Sequence, residues 1–206
     1  MGESHARARA VAITGCSGSG KSTLVSALLK QLSEDLTVLP LDAYYRDLSH
    51  LTLEARESIN YDHPDALDMA QYAQDLESLK RGQRVEIPRY DFTQHTRFAT
   101  GAWLDSAPWI LGDGILLMAD PTVAALFDIV VFVDTPLPVC FERRLSRDIE
   151  ERGRTPESVM AFWEERAQPM FEIFGEIARQ QAHLVVSGEV PVAQSAEQVL
   201  AAMSAL

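Results

Sequence analysis

The sequence predicts a three-layer α/β fold around a mostly parallel sheet, with a β-hairpin extension and a helical, arginine-rich lid. Two observations carry this. Short β-rich apolar runs alternate with longer segments of helical period. The first of those runs also passes through a glycine-rich loop directly into an amphipathic helix.

Residues 10–14 (AVAIT), 37–41 (TVLPL), 109–111 (WIL) and 129–133 (IVVFV) read as buried strands, and 184–186 as a weaker fifth. Leu24, Val25, Leu28, Leu29 and Leu32 mark one helix face. Met69, Tyr72, Ala73, Leu76 and Leu79 mark a second, which Gly82 stops. Val192, Val199, Leu200, Met203 and Leu206 mark a third. Residues 84–98 are β-prone, polar and aromatic, and predict a hairpin or loop pair extending from the sheet. Residues 136–182 read as almost entirely helical, with a break at Gly153 and a kink at Pro169. The 206 residues predict one domain carrying these two additions.

Apolar residues make up 47% and charged residues 23%, which excludes a disordered, collagenous or coiled-coil chain. Eighteen basic against thirty acidic residues give a net charge of −12, so neither a nucleic acid nor an anionic membrane is expected as partner. Fifteen of the basic residues are arginines, and five of those lie between Arg143 and Arg154. Any anion site is therefore local. Cys16 and Cys140 lack metal-ligand spacing and suit a reducing compartment. The N-terminal residues lack the apolar stretch of a signal peptide, and Ala6 stands where myristoylation at Gly2 wants Ser or Thr. A cytoplasmic location is expected.

The chemistry begins at Gly15, Cys16, Ser17, Gly18, Ser19, Gly20, Lys21, Ser22 and Thr23, which contain G-x-x-x-x-G-K-S between a strand and a helix. Glycines let successive N–H groups turn inward on an anion, and the helix start adds its positive dipole end. Lys21 reaches the β- and γ-phosphates of a nucleoside triphosphate, and the Ser22 hydroxyl ligates Mg²⁺. The fold expected is therefore that of a P-loop NTPase. Cys16 reads as a small side chain that fits the loop, with a reactive thiol near positive potential as the alternative.

Ligands of open α/β sheets sit at the carboxyl ends of the strands, where Asp42 and Asp113 fall. Asp42 suits activation of an acceptor hydroxyl, and Asp113 a second magnesium contact. Arg143, Arg144, Arg147, Arg152 and Arg154 read either as a solvated face paired with neighbouring acids or as lid residues stabilising the transferred phosphoryl group.

Several segments then occur in a telling order: the P-loop, 41–45 (LDAYY), 60–65 (NYDHPD), 87–97 (IPRYDFTQHTR), 114–117 (GILL), 132–135 (FVDT) and 147–154 (RDIEERGR). Together they resemble the uridine kinases of the phosphoribulokinase/uridine kinase group, from about Val11 to Phe171. The resemblance implies transfer of phosphate from ATP or GTP to the 5′-hydroxyl of uridine or cytidine. It implies Asp42 as base, Asp62 on the ribose hydroxyls, and Tyr90 and His95 on the pyrimidine edge. Tyr45, Tyr61 and Phe92 become aromatic walls, Arg144 and Arg154 nucleoside contacts, and Arg147 and Arg152 lid residues facing the phosphates. It further implies a homotetramer and feedback inhibition by CTP or UTP.

Three positions depart from the family pattern. Asp113 stands where the family usually has Glu, and Phe162 where it has a Gln that contacts the nucleoside. Residues 186–191 (VSGEVP) lack the Pro-Arg-Gly found after the last strand, which leaves ATP-versus-GTP preference open. A sibling kinase for another small alcohol and a nucleotide-binding regulator without turnover are the competing readings.

Overall fold

The computed structural model describes residues 7–206. Gly2 and Ala6, which bear on N-terminal lipidation, lie outside the described residues. Strand β1 (Arg9–Gly15) leads through the glycine loop into α1 (Lys21–Leu32) and then β2 (Leu36–Pro40). A 3₁₀ turn (Leu41–Tyr44) follows, then α2 (Leu53–Glu57) and α3 (Met69–Lys80). Four short strands come next: β3 (Val85–Ile87), β4 (Tyr90–Asp91), β5 (Thr96–Arg97) and β6 (Ala102–Leu104). The chain returns to the sheet with β7 (Trp109–Asp113), α4 (Pro121–Ala124) and β8 (Ile129–Asp134). It closes with α5 (Leu137–Glu150), α6 (Pro156–Phe162), α7 (Gln168–Met170), α8 (Glu176–Gln180), β9 (Leu184–Ser187) and α9 (Val192–Ser204).

The main sheet has the order β2-β7-β1-β8-β9 and every neighbouring pair is parallel. Both faces are covered, which is why its strands read as continuous apolar runs rather than alternating ones. Val11, Ile13, Val131 and Val133 point into the core beneath α1 and α9. Ala10, Ala12, Val130 and Phe132 point the other way, against Tyr72, Leu76 and Leu79 of α3. Leu28, Leu76 and Leu79 are fully buried, each contributing about 1.5–3 kcal/mol. Leu29 and Leu206 are exposed instead, because they fall at the edge of the helical stripe and beyond the last helix.

Helix ends follow local chemistry. Asp68 caps α3 by accepting from the Gln71 N–H. Past its last residue, Gly82 takes a φ of +79°, the left-handed turn that stops a helix. The start of α1 differs: it has no side-chain cap and no acidic residue in its first turn, so its N–H groups stay open to an anion.

Within the expected 84–98, β4 and β5 form a short hairpin, and a second ribbon of β3 with β6 extends the pairing beyond that range to Leu104. Val85 and Ile87 bury against the core and need a partner strand, which the short Ala102–Leu104 supplies. In the helical region, Gly153 with φ +65° does separate α5 from α6. At the expected kink, Pro169, the helix runs on with its regular α-turns interrupted on either side. π-helical turns at Trp163–Ala167 and Phe171–Gly175 flank the proline, and their wider rings absorb its missing N–H and its clash with the preceding turn.

Candidate active site

The carboxyl ends of β1, β2 and β7 converge on one cleft. Asp113 closes β7, opposite Ile13 of β1 and Pro40 of β2, and Asp42 lies in the turn directly after β2. The glycine loop leaves the end of β1, on the other side of β7 from β2. Gly18 has φ +86°, and a Cβ there would meet the Cys140 carbonyl oxygen at 2.3 Å. Glycine is thus needed both for the turn and for the approach of α5.

This cleft, about 550 Å³, is lined by Ser17, Gly18, Gly20, Lys21, Ser22 and Thr23, with Asp42, Asp113, Arg143 and Arg147 opposite. Gly15, Cys16 and Ser19 do not line it. The Cys16 side chain is buried behind the loop against Cys140, Trp163 and Ala167. A hydrogen bond with Cys140, together with burial, pushes the Cys16 thiol far up, so it is held neutral. The Lys21 ammonium donates to the Gly15 and Cys16 carbonyls, at 3.1 and 2.8 Å. Burial lowers its pKa, opposed by the neighbouring Asp113 carboxylate. Burial likewise pushes Asp113 up to about 6, and raises Asp42, with Lys21 pulling each back.

A second, smaller cavity of about 70 Å³ adjoins the first. Tyr45, Tyr61, Asp62, Tyr90, Phe92, His95, Arg144 and Arg154 line it, together with Arg152 and Phe162. Asp42, Ser17, Ile115 and Arg147 line both cavities. The aromatic wall is a continuous set of contacts. Tyr45 touches Tyr61, Tyr90 and Phe92 at centroid distances of 5.4, 5.1 and 6.5 Å, and Tyr61 stacks on His95 at 4.7 Å. His95 sits at the tip of the β4–β5 ribbon with φ +50°. Burial, reinforced by Arg154, lowers its pKa, so its imidazole is neutral at pH 7. The Tyr90 hydroxyl is buried without a hydrogen-bond partner, an arrangement that favours a polar ligand.

Asp62 accepts from Arg144 at 3.3 Å, and both are buried. The arginine run is not a solvated face. Arg144, Arg147, Arg152 and Arg154 all turn toward Asp148, whose carboxylate is fully buried. Phe162 packs beneath the guanidiniums of Arg144, Arg154 and Arg166 at 5.2, 5.5 and 5.4 Å. Arg143 of the same run stays apart from Asp148 and donates to the Gly188 carbonyl at 3.1 Å, joining α5 to the loop after β9 at the cleft rim. Asp148 was not singled out as a site group by sequence reasoning; its signal was the spacing of Arg144 and Arg152 at four residues on either side.

The family model described as "Phosphoribulokinase / Uridine kinase family" matches residues 10–194. The chain belongs to this family. It is 46% identical over 181 residues to a uridine kinase of Shewanella amazonensis, covering 85% of each chain. A uridine kinase of Shewanella piezotolerans has the same identity over the same length. Among solved structures, the D-glycerate 3-kinase of Cryptococcus neoformans superposes with a TM-score of 0.64 at 17% identity, covering 92% of this chain and 89% of that one. The phosphoribulokinase of Rhodobacter spheroides gives 0.58 at 14% identity, covering 90% and 74%. These two likenesses carry the fold: helices on both faces of a parallel sheet with a phosphate loop after the first strand.

The family's phosphoryl donor is a nucleotide, and the loop and cleft have the residues to hold its phosphates. The residues also fit Mg²⁺. Among the described residues no three His, Cys, Asp or Glu side chains gather as a metal cage. A phosphate-bound Mg²⁺ needs only one or two protein oxygens, and the Ser22 hydroxyl and the Asp113 carboxylate face the cleft. No helix among the described residues is long and apolar enough to cross a membrane.

Proposed function

We propose that this chain is an ATP-dependent nucleoside kinase that phosphorylates the 5′-hydroxyl of uridine or cytidine. The observation that carries it is that Asp42 lines both cavities, so one carboxylate faces the phosphate cleft and the aromatic pocket together. The identity to uridine kinases supports the choice of acceptor. So does an aromatic pocket with a neutral imidazole and a free phenol, which suits an uncharged pyrimidine.

In this reading the P-loop N–H groups and Lys21 hold the donor phosphates, while Asp62 and Arg144 hold the ribose. Burial raises the basicity of Asp42 toward the working pH, which improves it as a proton acceptor. Its carboxylate takes the proton of the 5′-hydroxyl as the oxygen bonds to the γ-phosphorus. The bond from that phosphorus to the β,γ-bridging oxygen breaks, and ADP leaves with the electron pair. Arg147, which lines both cavities, and Arg152 beside it in the acceptor cavity meet charge spreading over the transferred group. Mg²⁺, held by Ser22 and Asp113, neutralises phosphate charge when bound. Arg143 and Gly188 frame the side of the cleft where the donor base belongs, and the donor is ATP or GTP. The resemblance further proposes one kinase domain, a homo-oligomer and a cytoplasmic setting.

One observation favours a second reading. Phe162 offers the acceptor pocket no polar atom, so another small alcohol is the competing acceptor. ADP release with ATP–Mg²⁺ is the test, across uridine, cytidine, their deoxy forms, adenosine, ribulose 5-phosphate and pantothenate. Stimulation by uridine or cytidine supports the proposal. Stimulation only by a non-pyrimidine replaces the acceptor, and silence with ATP still bound favours a regulator without turnover.

A further inference from the structure

A fully buried carboxylate is costly unless charged partners compensate it, and Asp148 has an unusual number of them. Arg147 clasps its Oδ1 through Nε at 2.9 Å and Nη2 at 2.7 Å. Arg152 Nη1 lies 3.4 Å from the same oxygen. Arg144 Nε and Arg154 Nη1 lie 3.6 and 3.8 Å from Oδ2. These last two are attractions without hydrogen bonds: Asp148 Oδ2 and Arg144 Nε have no hydrogen-bond partner. One negative charge thus gathers four positive ones, and Asp62 offsets only part of the excess.

The arrangement is not needed to bury α5. That helix already seats Cys140 in an apolar cluster with Cys16, Trp163 and Ala167. The four arginines, by contrast, all line the acceptor cavity, and Arg147 also lines the phosphate cleft, with Nη2 3.5 Å from the Ser17 hydroxyl. Without an anion among them, guanidiniums this close repel one another and fan apart. Two carboxylate oxygens presented to forked guanidiniums are also a fair copy of two phosphoryl oxygens.

We propose that Asp148 is the positioning anion of the arginine lid. It gathers Arg152 and Arg154 in the acceptor cavity beside Arg147 at the junction with the phosphate cleft, then yields part of the Arg147 hydrogen bonding to the phosphoryl group during transfer. Asp148 itself touches neither donor nor acceptor. The inference rests on reading the two cavities as donor and acceptor sites.

The test compares wild type, Asp148→Asn and Asp148→Glu. It reads thermal unfolding, kcat and KM with ATP–Mg²⁺ and uridine, and calorimetric binding of inorganic tripolyphosphate. In Asp148→Asn, kcat falls at least about 10-fold, because the arginines are no longer registered on the transferred group. Tripolyphosphate nevertheless binds about 3-fold tighter or more, because the anion competing for the guanidiniums is gone. Asp148→Glu keeps the charge and displaces it, so tripolyphosphate affinity stays within about 2-fold of wild type while kcat falls about 3-fold or more. A merely structural carboxylate would not uncouple turnover from anion affinity. Wild-type kcat in either variant, or kcat and tripolyphosphate affinity falling together in Asp148→Asn, overturns the proposal. If Asp148→Asn does not fold, Asp148→Glu decides by the same two readouts. A wild-type chain that binds tripolyphosphate but makes no UMP would set aside the kinase reading, and the binding comparison would still judge Asp148.

Discussion

Arg144 and Asp62 form a buried ion pair, with Nη2 3.3 Å from Oδ2, that fastens the arginine-bearing helix to the loop ahead of α3. It joins two segments 82 residues apart at the wall of the acceptor cavity. The pair therefore has both a structural and a binding consequence, and the two are separable.

Asp62→Asn keeps the shape of the side chain and removes its charge, leaving Arg144 with Asp148 alone. Stability should fall by about 1–3 kcal/mol, read by denaturant unfolding. The uridine KM should rise about 10-fold or more, as the site loses an acceptor for the ribose hydroxyls. An unchanged KM removes Asp62 from the acceptor site, whatever happens to stability.

Asp42→Asn should leave ATP affinity within a few-fold and lower turnover by about 10²-fold or more, the scale of a positioned base. Equilibrium nucleotide binding and single-turnover kinetics separate the two effects. Turnover near wild type would take Asp42 out of proton transfer.

Tyr90→Phe tests the unpartnered phenol. No protein hydrogen bond is lost, so the melting temperature of the empty protein should hold or rise slightly. Acceptor affinity should fall about 10-fold, because the ligand loses the partner this hydroxyl awaits. Equal uridine affinity in both proteins would show that the pyrimidine lies elsewhere.

Asp113 gives a pH dependence with a definite sign. Its pKa rises from 3.8 to about 6 on burial, so the folded chain holds the proton more tightly than the unfolded one. Its contribution to stability is therefore lost as pH rises from about 4 through about 6, and is constant beyond. Asp113→Asn should raise the melting temperature at pH 8 and have little effect at pH 4. The same variant should lower activity and remove the part of the rise in kcat/KM centred near pH 6. A melting temperature lowered equally at both pH values would contradict the burial argument.

Much of this architecture was legible because its signals are local. Strand, glycine loop and helix are contiguous between Arg9 and Leu32, and Gly82 and Gly153 mark chain reversals within a few residues of where they occur. The second ribbon was hidden because Ala102–Leu104 is too short to carry a pattern of its own and owes its pairing to Ile87 and Val85. Burial was hidden as well. Asp148 stands among Glu150 and Glu151 and looks like any acid on a wet helix face, and only packing shows that it alone is enclosed. Cys16 and Cys140 share a cluster across a separation at which sequence spacing carries no signal. The residues around the acceptor cavity lie on the turn after β2, the loop before α3, the β4–β5 ribbon, α5, the loop after it and α6, which explains why composition alone could not join them.

The central claim is that Asp42 stands between a nucleotide and a nucleoside hydroxyl. Phosphorus NMR of the reaction of ATP–Mg²⁺ with uridine, set beside 5′-deoxyuridine, tests it most directly. The account predicts a 5′-monophosphate ester from uridine at the rate of ADP formation, none from 5′-deoxyuridine, and loss of that signal in Asp42→Asn. Phosphorylation of 5′-deoxyuridine, or no phosphate ester from either uridine or cytidine, would contradict it.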